Sequence, residues 1–111
     1  MNRNKLMDNF IGNLSNAIVH EILKRAADDE ALRSRYLKEL TTSMKNALKY
    51  RDQINPVNSK LQKKDAEYIK DKIIKKVESK LLKRMDEGYK NVNLNLIEIV
   101  VEEFLKQSKI I

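Results

Sequence analysis

Apolar residues recur at three- and four-residue spacing through most of the chain, and polar residues fill the intervals. That period belongs to the α-helix. It is clearest from Ser59 to Gly88, where Ala66, Ile69, Ile73, Val77, Leu81 and Met85 keep one face over several turns. Ser59 and Gln62 match the N-terminal capping box, and Gly88 stands where a left-handed C-cap is expected. The spacing predicts a helix over 59–87.

Upstream, Met7, Ile11, Leu14, Ile18 and Ile22 form a stripe that Phe10, Ala17, Val19 and Leu23 widen. Asn9, Asn13, Asn16 and His20 occupy the opposite face, with Lys24 at its edge. This predicts a helix over about 4–27. Gly12 lies inside it, at a cost of about 1 kcal/mol against Ala, and is a candidate site of close helix crossing. Glu21 borders the apolar stripe, in reach of Lys24 or Arg25.

Asp28, Asp29 and Glu30 interrupt the pattern. Aspartate caps helix N-termini, and acids suit a first turn. A sharp joint at Ala27–Asp28 follows, although one continuous helix is the alternative, since no Gly or Pro marks the break. A second helix then runs over 28–54. Leu37, Leu40, Met44, Ala47 and Leu48 form its expected buried stripe, with Leu32, Tyr36 and Ile54 at the margins. Asn55-Pro56-Val57-Asn58 ends it, because proline disfavours helix at the residue before it.

The last segment is the most ambiguous. Leu94, Leu96, Ile97, Ile99, Val100 and Val101 have the content of a strand. Yet Asn95 and Glu98 stand as an N-cap and a third helical residue. Ile97, Val100, Val101, Phe104 and Leu105 then keep helical spacing. A fourth helix over 94–107 is expected, apolar nearly all round at its start. Such a helix is either central to the bundle or shares a face with another subunit. Those same five residues are the candidate oligomer interface.

A chain of 111 residues with two Gly and one Pro has few joints and room for one core. The expected fold is therefore all-α: a single, four-helix bundle-like domain over 1–111. With no Cys, disulfides, thiolate metal sites and a cysteine nucleophile are excluded. No apolar run reaches the roughly 18 residues of a spanning helix, and 1–14 lacks the apolar block of a signal peptide. A cytoplasmic location is expected.

Catalytic signatures are missing. No glycine-rich phosphate loop exists, and the one histidine, His20, has Lys24 where a zincin would carry its second ligand. No enzyme activity, cofactor, metal or small-molecule substrate is expected.

Charge changes the picture more. Lys and Arg number 23 against 16 Asp and Glu, for a net charge of +7. On a helical wheel Lys72, Lys76, Lys80 and Lys83 gather on one flank of the third helix. Glu67, Asp71 and Glu78 gather on the other. Such two-signed flanks set partner and orientation in packed helix pairs. A second cationic stripe, Arg35, Lys38, Lys45 and Lys49, runs along the second helix with Thr42 and Asn46, residue types that track a phosphate backbone. A solvated helix surface is the plain alternative for each stripe.

Two functions follow as expectations. One is a non-enzymatic interaction or scaffold protein that self-associates, most simply as a homodimer. The other is sequence-independent nucleic-acid binding through the Lys/Arg-rich faces. A helix-turn-helix is not indicated, because no short glycine-bearing turn joins two short helices. Without Trp or Phe on the apolar side of the third helix, a membrane-surface role is disfavoured. No stacking aromatic platform is expected beside either stripe, since Tyr36 and Tyr50 lean toward the core.

Overall fold

The helical periods become four helices in a computed structural model that describes residues 2–55 and 61–111. They are α1 (Arg3–Ala26), α2 (Glu30–Ile54), α3 (Lys63–Asp86) and α4 (Ile97–Gln107). A 3-10 turn over Leu94–Leu96 leads into α4, and no strand occurs among the described residues. The fold is an all-α, four-helix bundle-like domain.

The joint between α1 and α2 is real. Asp29 caps α2, its carboxylate accepting the Leu32 N–H at 3.0 Å. Arg33 reaches back and donates to the Ala27 carbonyl at 2.9 Å. These contacts satisfy groups that a helix end leaves unpaired and rule out one continuous helix. Asp29 rather than Asp28 is the cap, and Glu21 pairs with both Lys24 and Arg25.

The expected start of the third helix at Ser59 moves to Lys63, because Leu61 and Gln62 are not helical. Leu61 turns into the core instead. Ser59 and Pro56 lie outside the described residues. At the other end Gly88 has φ +100°. The Tyr89 N–H bonds the Arg84 carbonyl at 3.1 Å and the Gly88 N–H bonds that of Met85 at 3.0 Å, a Schellman ending. Ahead of α4, the capping asparagine is Asn93, which accepts from the Asn95 N–H, and not Asn95.

Asp65 at the start of α3 meets Arg3 at the start of α1 at 2.7 Å, so these two helices run parallel. α2 returns antiparallel to α1, and its last turn meets the C-terminal end of α4 through Arg51. α1 packs on each of the other three helices, and α3 packs on α4, while α2 leans chiefly on α1. The centre is therefore α1. Eleven of its residues are buried, from Leu6 to Leu23, with Phe10, Leu14, Ile18 and Ile22 fully enclosed. Ser15 is among the eleven, its hydroxyl without a hydrogen-bond partner among the described residues. A Cβ on Gly12 would meet nothing within 4 Å, so the expected close crossing there does not occur.

α2 is rotated from its expected register. Tyr36, Ala47, Arg51 and Ile54 are buried, whereas Leu37 and Leu48 are 49% and 38% exposed. The reason is local. The Tyr36 ring packs 6.1 Å from that of His20, and Arg51 is drawn inward by carbonyls beyond α4. Met85, expected on the buried stripe of α3, is exposed. On α4, Ile97, Val100, Val101, Phe104 and Leu105 are all covered by the chain's own helices. They present no open face for a second subunit.

Candidate nucleic-acid interface

α1 is wrapped on most sides, and its remaining arc is polar. Asn9, Asn13, Asn16 and His20 are half-buried there, between α2 and α3. The Asn13 amide donates to the Asn9 carbonyl at 2.8 Å. His20 Nδ1 lies 2.8 Å from the Asn16 carbonyl, and Nε2 lies 2.7 Å from the Glu39 carboxylate on α2. Both partners are acceptors, so only the doubly protonated ring donates to both.

α3 borders this arc with its basic flank. Lys80 Nζ donates to Asn16 Oδ1 at 2.6 Å. An open hollow of about 420 Å³ lies here, with Asn16, His20, Lys80, Lys83, Arg84 and Glu87 in its lining. Burial holds the Lys80 ammonium below its ordinary pKa, and the neighbouring Lys76 and Arg84 cations lower it further. Like charges have thus been gathered at a cost that an arriving anion would relieve.

Lys72, Lys76, Lys80 and Lys83 make no ion pair among the described residues; Lys72 instead stands 5.8 Å from the centre of the Tyr68 ring. Arg84 stands over the Tyr89 ring at 5.1 Å and donates to its hydroxyl at 2.7 Å. Burial raises the pKa of the Tyr36 phenol, as does the neighbouring Tyr89, while Arg84 and Arg35 oppose the shift. Tyr36 and Tyr89 line a neighbouring hollow, and Arg84 links it to the one beside Lys80.

The eight sequence-identified cations do not form one surface. Arg35 lies 3.7 Å from Glu39. Lys38, Lys45 and Lys49 are exposed on the side of α2 opposite its buried face. Each follows directly on Leu37, Met44 or Leu48, so an apolar ridge runs beside a cationic one. The acidic flank of α3, Glu67, Asp71 and Glu78, is exposed and pairs with no cation among the described residues. The two signed edges therefore do not fix a partner helix within the chain.

Sequence reasoning missed the aromatic residues. Tyr68 and Tyr89 stand at the two ends of the basic flank, each beside a cation. The signal was present for Tyr68, four residues before Lys72 and hence a turn away on the same side. Among the described residues no group of three or more His, Asp or Glu side chains could hold a metal ion. No helix among them is long and apolar enough to cross a membrane. Comparison of the chain with protein-family models, with curated proteins and with solved structures finds no match.

Proposed function

We propose that the protein is a non-enzymatic, cytoplasmic nucleic-acid-binding module that engages the phosphate backbone without sequence preference, through the basic flank of α3. One observation carries the reading. Lys72, Lys76, Lys80 and Lys83 share a flank with Arg84, no ion pair among the described residues neutralises the lysines, and Lys80 is crowded by like charge. A solvated surface needs no such crowding. A polyanion site does, because each phosphate met releases counterions.

Two matched triple variants test it. Lys76→Gln/Lys80→Gln/Lys83→Gln and Lys38→Gln/Lys45→Gln/Lys49→Gln each remove three positive charges. In fluorescence polarisation at low salt the α3 triple should weaken binding at least tenfold more than the α2 triple. The wild-type affinity should fall steeply with salt, with a log–log slope of about −3 for four or five phosphate contacts on a single strand. Equal losses from the two triples, or no wild-type binding at low salt, overturn the proposal.

The exposed Leu37 and Leu48, with the part-buried Met44 between them, favour a second reading, self-association as an interaction protein through α2 rather than α4. Sedimentation equilibrium at high micromolar concentration should then show a dimer that Leu48→Glu dissociates. A wild-type monomer there removes this reading.

A further inference from the structure

We infer that the nucleic acid taken by α3 is single-stranded, its bases stacking on Tyr68 and Tyr89 while the lysines between them follow the phosphates. This rests on the proposal above and narrows it to one substrate class.

The chain has four tyrosines and no tryptophan. Tyr36 is buried and Tyr50 half-buried, as core residues should be. Tyr68 and Tyr89 are 45% and 38% exposed, so the core does not account for them. Both belong to the basic flank. Tyr68 stands one turn before Lys72, and Tyr89 follows the Schellman ending of α3. The rise of the helix places them roughly 30 Å apart, with Lys72, Lys76, Lys80 and Lys83 between.

Neither ring is a loose side chain. The Tyr89 hydroxyl is held by Arg84 at 2.7 Å, Tyr36 shares a hollow with the ring, and Gly88 fixes the backbone before it. Tyr68 lies against a hollow that includes Arg3, Asp8, Lys64 and Asp65, where Arg3 and Asp65 neutralise each other. Exposed, positioned rings with cations alongside are the usual single-strand platform, because every base has a face to stack and only an unpaired strand offers it. In a duplex the base faces are stacked on one another, and both tyrosines would be left without a role.

With no tryptophan, intrinsic emission comes from the four tyrosines, and the share that Tyr68→Phe and Tyr89→Phe remove belongs to these two rings. An oligothymidylate of about 12 nucleotides, inside the usual single-strand site range, is compared with a duplex of equal length at equal salt. The single strand should bind at least tenfold more tightly and quench tyrosine emission. Tyr68→Ala and Tyr89→Ala should each weaken single-strand binding by about fivefold to a hundredfold, the worth of one stacked base, and leave duplex binding unchanged. Tyr68→Phe, which keeps the ring, should bind as wild type. Equal affinity for both forms overturns the inference. So does unchanged binding by Tyr68→Ala, while losses in the α3 lysine triple would leave the basic-flank proposal standing. Failure to bind either form overturns both.

Discussion

Phe10→Ala should lower the stability of the protein by about 3–5 kcal/mol. The ring is fully enclosed on α1, the helix that packs on all three others. Its removal takes apolar surface out of the core and leaves a cavity that neighbours on several sides would have to close. Domains of this size are stable by only about 5–15 kcal/mol, so the variant should sit near its unfolding threshold at ordinary temperature. A loss of this size corresponds to a fall in Tm of very roughly 10–30 °C. Leu48→Ala is the control. The helical period places Leu48 on the buried stripe of α2, yet it is 38% exposed, and its removal should cost about 1 kcal/mol or less. Urea unfolding followed by circular dichroism measures both. Similar losses in the two variants would mean that α2, not α1, holds the centre.

The contrast between these residues shows what periodicity conveys. It located all four helices, because each apolar stripe depends only on spacing along its own segment. The α1–α2 joint was legible for the same reason, Asp29 being a local cap. Which arc of a stripe faces inward depends on neighbours. On α2, Tyr36, Ala47, Arg51 and Ile54 are buried, Leu40 and Met44 pack part-buried against the core, and Leu37 and Leu48 lie outside it. Hydrophobicity alone prefers the leucines. The structure prefers the other arc because His20 receives Tyr36 and the end of α4 receives Arg51. In the same way the five apolar residues of α4 looked in excess of one core only until α1 was seen to lie at the centre.

The basic flank of α3 was legible because exposed charge needs no tertiary contact to be placed by angle. What it borders was not. The polar face of α1 was evident in Asn9, Asn13, Asn16 and His20, but the contact of Asn16 with Lys80 joins residues 64 apart. Tyr89 likewise shares a hollow with Tyr36, on another helix. Gly88 pointed to the turn that carries Tyr89 back toward Arg84, and nothing local pointed to Tyr36 beside it.

Arg51→Ala should cost about 2–4 kcal/mol, because a buried charged donor would leave several acceptors behind. The residue is 3% exposed. Its Nε donates to the Ser108 carbonyl and one Nη to the Lys109 carbonyl, each at 3.0 Å, and the other Nη donates to Asn55 Oδ1. Burial pulls its pKa below the ordinary value, with Asp52 opposing. The carbonyls it holds end α4 in a second Schellman turn. The Ile110 N–H bonds the Leu105 carbonyl at 2.9 Å, and Ile110 is buried. The left-handed position of that turn, φ +59°, is Lys109 rather than glycine, at a backbone cost of about 1 kcal/mol. Arg51 and Ile110 together outweigh that cost. Lys109→Gly should therefore restore about 1 kcal/mol to Arg51→Ala by removing the strain, and should not replace the lost hydrogen bonds. Hydrogen exchange at the Ile110 amide reads the turn itself: protection should fall in Arg51→Ala and recover in part in the double variant. Unchanged protection in Arg51→Ala would show that the turn stands without the guanidinium.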